Sequence, residues 1–276
     1  MTAFKKLTGN YIKTLLKARP ENSHKGNFGH ALIIAGCKGK MGAAVIAAKA
    51  CMRAGAGLLT VNVPFQERLI LQIAIPEAML VIRTHLVVPG IYSSIGVGPA
   101  LGVNAASKKI LQQLLIHSKY PLVIDADAIS IIARDKKMLK KIPKDSILTP
   151  HPKEFDRLFG QSQGNEERTE KAFKVAKKYN IILVLKGHHT FVTNGKESFI
   201  NTTGNSGLSK GGSGDALTGI ITSLSAQNYD AFAAAKLGVY IHGLSADIAL
   251  AHQSSESMII TDVINCMGQA FKKLKT

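Results

Sequence analysis

Tryptophan is absent from the 276 residues, and aromatic side chains make up only 6% of them. Chains that read nucleic acid interleave stacking aromatics with their cations. No such platform occurs here, so no nucleic-acid partner is expected. Cysteine is scarce as well: Cys37, Cys51 and Cys266 are odd in number, widely spaced and without metal-ligand companions at short range. That argues against a disulfide framework and suits reduced thiols. No apolar run reaches the roughly 18 residues of a membrane span, and no apolar signal core follows Met1–Lys6. The expectation is a cytoplasmic protein with no membrane partner. Linkers, repeats and low-complexity tracts are missing too, which leaves one domain over residues 1–276.

Acidic residues number 18 against 35 Lys and Arg, a net charge of +17. The pairs Lys136-Lys137, Lys140-Lys141 and Lys177-Lys178 and the tail at Lys272, Lys273 and Lys275 read mainly as solvated helix faces. The summed field attracts polyphosphate substrates.

What is present is alternation. Apolar runs at 31–35, 58–63, 79–82, 94–97, 122–124, 147–148 and 181–185 read as strands. Amphipathic stretches at 7–16, 43–54, 104–117 and 166–179 read as helices, with Asn104 as a cap. A hairpin-like pair at 191–192 and 198–200 follows. Three helices, at 213–227, 231–250 and 261–273, close the chain. Strands alternating with helices predict an α/β domain wound on a mostly parallel sheet. Ligands of such sheets gather beyond the carboxyl ends of the strands. The loops at 36–42, 96–102, 125–127, 149–154, 186–190 and 204–214 all follow predicted strands and can share that rim.

The most informative stretch runs from Gly204 to Asp215 and holds five glycines. Apolar residues at Ala216, Leu217, Ile220, Ile221 and Leu224 then mark a helix, with Ser213 as the expected N-cap. A glycine-rich loop entering a helix gathers free N–H groups and the positive end of a dipole, which suits a phosphate. Asp215 stands in the first turn. It reads either as a helix-stabilising acid or as a base for a hydroxyl attacking a phosphoryl group held by Gly212, Ser213 and Gly214. Neither a P-loop nor a dinucleotide-binding glycine pattern is present.

Gly-Gly-Ser-Gly-Asp ahead of an apolar helix resembles the anion hole of the ribokinase-like superfamily. The string from Asn205 to Ile221 resembles its ADP- or ATP-dependent NAD(P)H-hydrate dehydratases. The resemblance implies a three-layer α/β/α fold with a mostly parallel central sheet. It also implies ADP- or ATP-dependent dehydration of the S form of hydrated NADH or NADPH, with Mg²⁺ accompanying the nucleotide. A ribokinase-like kinase acting on a small alcohol is the alternative.

Further motifs extend the likeness from about Lys25 to His242. The Lys-Gly-x-x-Thr turn at Lys186, Gly187, His188, His189 and Thr190 matches the family's nucleotide loop, as do Asn205, Ser206, Gly207 and Gly211. By themselves the paired histidines read as exposed loop residues. Thr149–Glu154 resembles the family's His-Pro-x-Glu element, which implies substrate contacts for His151, Glu154 and Arg157; proline-shaped helix entry is the plainer reading. Ala43, Gly98 and Gly102 match further substrate-side positions, with Ala100 where the family has glycine. Lys210 stands where many relatives have a small or hydroxyl residue. Asp125-Ala-Asp127 resembles an Asp-Ala-Asp segment, and Asp127 with Glu154 implies a metal site reached through water. A strand-end turn and helix cap explain it equally. The resemblance also implies a homotetramer, and an epimerase for the same substrate encoded separately.

Overall fold

The computed structural model describes residues 4–83 and 90–276. Among them the chain alternates strands and helices. It opens with β1 (Lys5–Leu7), α1 (Gly9–Leu15), β2 (His30–Ile34), α2 (Met41–Arg53), β3 (Leu58–Val63), α3 (Arg68–Ala74) and β4 (Met79–Ile82). The middle comprises β5 (Ser94–Val97), α4 (Ala105–His117), β6 (Leu122–Ile124), α5 (Ala126–Arg134), β7 (Ile147–Leu148), α6 (Pro152–Phe159), α7 (Asn165–Tyr179) and β8 (Ile182–Leu185). The hairpin β9 (Phe191–Thr193) and β10 (Ser198–Asn201) leads to α8 (Ser213–Ala226), α9 (Ala231–Leu250), α10 (Ile260–Asn265) and α11 (Met267–Lys275).

One sheet of ten strands results, in the order β1-β10-β9-β8-β7-β6-β5-β2-β3-β4. Every pairing is parallel except those made by β9. Its central strands are buried on both faces, which is why they read as unbroken Val, Ile and Leu runs. Successive residues face opposite layers. Ile147, Ile182 and Val184 pack with α8 and α9, whereas Leu148, Leu183 and Leu185 pack with Phe155, Leu158 and Ala172 of α6 and α7. Ile33 and Val61 meet the alanines of α2. The architecture is α/β/α: the alternation predicts the mostly parallel α/β sheet, and the family resemblance implies the three layers.

Helices α2 and α8 approach backbone to backbone. A Cβ at Gly219 would collide with the carbonyl oxygen of Ala47, so the small-residue face of α2 serves helix packing. That contact fixes the direction in which the start of α8 points.

Several elements depart from expectation. Leu7 belongs to a strand, and α1 starts only after the Thr8 cap. Helices α3 and α5 were not anticipated, and the last predicted helix is broken at Cys266 into α10 and α11.

Candidate active site

At the carboxyl rim of the sheet lies a cleft of about 590 Å³. Its walls come from the loops after β6, β7 and β8, from the 201–209 segment, from the start of α8 and from one face of α9.

The floor is the entry to α8. Its N-cap is Gly212 rather than Ser213, and no side chain bonds to the first N–H groups of the helix. Gly212 has φ +92°, and a Cβ there would press on Ile46 and Ile260 at 2.7 and 2.9 Å. Glycine is therefore required for the turn that aims these amides into the cleft. With a serine cap, one of those donors would have been consumed. Among the described residues no side chain takes them, and only the long contact of Ser213 N to Lys210 O at 3.4 Å engages the first of them, so this helix start, with its dipole, suits an anion.

Two carboxylates flank it and behave differently. Asp125 follows β6 directly, is 1% exposed and is fully engaged. One of its oxygens accepts from Lys186 Nζ at 2.8 Å and the other from Thr218 Oγ1 at 2.8 Å. The Thr218 hydroxyl also lies 3.1 Å from the Gly214 carbonyl oxygen. Having one proton, it favours the shorter bond to the charged acceptor. A helix-cap role for Asp125 is overturned, since its side chain makes no cap bond to α5. Asp215 is the opposite case: half-buried and lining the cleft. Burial, then the charge of Asp125, raise its carboxyl from near 3.8 to about 6, with Lys186 opposing and Asp127 adding to the rise. Such a carboxylate is ionised near neutrality and a stronger base than usual.

Lys186 follows β8, and its N–H is tied to Pro150 O at 2.9 Å. Its ammonium sits 3.2 Å from where a Gly214 Cβ would be, which puts the cation beside the anion site.

The other expected residues divide into two groups. His151, Glu154, Gly187, His188, Thr190, Asn205, Ser206, Ser213, Gly214 and Asp215 line the cleft with Lys186. Asp247 holds the 204–207 turn, accepting from Gly204 N at 2.9 Å and Asn205 Nδ2 at 3.0 Å. The Asn205 Oδ1 in turn accepts from Gly207 N. His151 and Glu154 also form a capping box at α6, with Glu154 Oε2 2.9 Å from His151 N. The capping box thus stands in the wall of the cleft. Burial lowers the His151 pKa, partly opposed by Glu154.

Ala43, Gly98, Gly102, Asp127, Arg157, His189, Gly207, Gly211 and Gly212 lie outside the cleft lining. Ala43 is in the first turn of α2 on the same rim. Gly98 presses on the backbone of Asp125, and Gly102 N donates to Asp127 Oδ2 at 2.8 Å. Arg157 reaches Ser130 Oγ at 3.3 Å. Lys210 donates to the backbone carbonyls of Glu256 and Met258 rather than facing the cleft. Ala100 holds φ +47°, a left-handed geometry that suits the glycine it replaces.

Sequence reasoning missed the Asp125–Lys186–Thr218 unit and His242. His242 lines the cleft from α9, is 7% exposed, and its Nε2 has no hydrogen-bond partner. Burial, then the Lys186 charge, lower its pKa to about 4, so it is neutral. A lone histidine inside the apolar run 231–250 was its only signal.

Amides, an ammonium and a free carboxylate around one point suit an anionic ligand at the rim of a mostly parallel α/β sheet. Comparisons narrow the class. The profile of the family described as NAD(P)H-hydrate dehydratase matches residues 31–268; the chain belongs to that family. It is 39% identical over 241 residues to the ADP-dependent (S)-NAD(P)H-hydrate dehydratase of Neisseria meningitidis, covering 85% of this chain and 81% of that protein. It is 32% identical over 286 residues to the bifunctional NAD(P)H-hydrate repair enzyme Nnr of Moorella thermoacetica, covering 98% of this chain and 54% of that one. The chain therefore spans about half the length of that relative. The ADP/ATP-dependent NAD(P)H-hydrate dehydratase of Bacillus subtilis, co-crystallised with ATP and Mg²⁺, superposes with a TM-score of 0.91 at 27% identity, over 99% of this chain and 100% of that one.

Proposed function

We propose that this protein dehydrates the S form of hydrated NADH or NADPH back to the working cofactor, consuming ADP or ATP. The observation that carries this reading is the pairing of an open helix start with the uncommitted Asp215 carboxylate. The nucleotide lies between the Lys186–Thr190 turn and the Asn205–Gly214 loop, its terminal phosphate at Gly212–Gly214. Asp215 takes the proton of the substrate's ring hydroxyl as that oxygen attacks the terminal phosphorus. The bond to the departing AMP or ADP breaks, and the amides of Ser213 and Gly214 and the Lys186 ammonium steady the charge on the transferring oxygens. The ring nitrogen then expels phosphate, a ring proton leaves, and the double bond returns.

Among the described residues no group of three or more His, Cys, Asp or Glu side chains is placed to hold a metal. That suits Mg²⁺, which keeps several waters and is carried mainly by substrate phosphates. Asp127 keeps one oxygen outside the bonds described above, whereas Glu154 Oε1 lies 3.5 Å from His151 Nε2; both would meet it through water. When bound, the ion neutralises phosphate charge. A homotetramer in the cytoplasm, served by a separately encoded epimerase, completes the proposal.

The test is incubation with hydrated NADPH and either nucleotide. Recovery of reduced-ring absorbance with one phosphate per turnover supports the reading. A stable phosphorylated product would instead indicate a small-molecule kinase.

A further inference from the structure

The steps above use the Lys186 ammonium but give Asp125 nothing to do, although a buried carboxylate beside a polyphosphate weakens binding. Helix α5 does not need it, since its side chain makes no cap bond. We propose that Asp125 is a positioning residue: it parks the Lys186 ammonium at the anion hole, with Thr218 fixing the carboxylate's aim, so that the cation meets the transferring phosphoryl group already oriented. This rests on the phosphoryl-transfer reading of the site.

Three contacts carry it. Lys186 Nζ is 2.8 Å from Asp125 Oδ1, and the pair is shielded, with side chains 21% and 2% exposed. Thr218 Oγ1 holds the second oxygen at 2.8 Å. Thr218 lies one turn beyond Gly214 on α8, so the pair is registered to the same helix whose amides grip the phosphate. A Cβ at Gly214 would stand 3.2 Å from Lys186 Nζ and 3.5 Å from Asp125 Oδ2, so both groups adjoin the last residue of the anion hole. A lysine side chain is long and rotamer-rich. Anchoring one of its three donors leaves the others for phosphate and removes an ordering cost at the moment of reaction. The same carboxylate also helps to raise Asp215, which faces Asp125 and Asp127 as like charges and Lys186 as the opposing one.

The experiment compares Asp125→Asn, Lys186→Met and the double variant. Asparagine keeps the shape and an acceptor for Thr218 but ends the ion pair. Turnover of hydrated NADPH by Asp125→Asn is expected to fall about thirtyfold or more. Its ADP dissociation constant, from calorimetry, stays within about threefold or tightens, because a negative charge near the phosphates is gone. In the Lys186→Met background the same substitution changes turnover by less than about threefold. Turnover of Asp125→Asn near wild type, or equal losses in both backgrounds, would overturn the proposal. A thermal arm needs no turnover. Lys186→Met leaves a buried carboxylate unpaired and lowers Tm, and adding Asp125→Asn restores part of the loss. Additive Tm effects would sink the anchoring itself. Wild-type protein that fails to regenerate NADPH would sink only the activity.

Discussion

Asp215→Asn separates two consequences of one raised pKa. In the folded protein the carboxyl titrates near 6 instead of 3.8. The native state therefore binds more protons than the unfolded chain between about pH 4 and 6, and stability falls as pH rises through that window. Above it the full penalty remains. That rise from 3.8 to about 6 corresponds to at most about 3 kcal/mol. Because the group keeps some solvent contact, about 1–2 kcal/mol is the working figure. Removing the charge should raise Tm at pH 7.5 by about 2–4 °C and flatten its dependence between pH 4 and 6. Turnover should move the other way, falling by about a hundredfold or more while ADP still binds. Wild-type kcat should drop as pH falls through about 6, where the base becomes protonated. Calorimetric melts across pH and a reduced-ring absorbance assay read both effects. A variant that turns over at wild-type rate would refute the base assignment. One that melts lower at pH 7.5 would refute the electrostatic argument.

Three further outcomes follow from the geometry. Lys186→Met should weaken ADP binding by about tenfold or more, since one charge-assisted contact is lost, and should reduce its salt dependence; titration at two ionic strengths measures both. Gly212→Ala forces a left-handed alanine against Ile46 and Ile260, which should cost about 2–4 kcal/mol in denaturant melts and abolish turnover. Ala100→Gly relieves the opposite problem at φ +47° and should leave stability unchanged or raise it by up to about 1 kcal/mol; a clear fall in Tm would show that the Ala100 methyl contributes packing that outweighs the strain.

What the sequence disclosed was mostly local. Apolar strand runs such as 122–124 and 181–185 announced themselves because both sheet faces are covered, and the glycine loop before 216–224 announced the helix whose start opens on the cleft. Short pieces escaped. β1 has three residues, and among the described residues its strand pairing is with β10, far along the chain. Helix α3 leaves Leu69 and Ile73 exposed, so its periodicity did not stand out from a loop. The expected Ser213 cap failed because Gly212 takes a left-handed turn that puts the serine inside the helix. Asp125 was ambiguous for a different reason: its partners are 61 and 93 residues away, and nothing at 125–127 distinguishes a lysine anchor from a helix cap. His242 shows the same limit, since which wall of the cleft α9 supplies depends on the packing of the whole layer.

The most direct measurement uses hydrated NADPH carrying heavy oxygen in its ring hydroxyl, incubated with wild-type protein and ADP. If that oxygen attacks the phosphoryl group held at Gly212–Gly214, the phosphate released carries one heavy atom per NADPH regenerated. Label appearing in water, with unlabelled phosphate, would contradict the account.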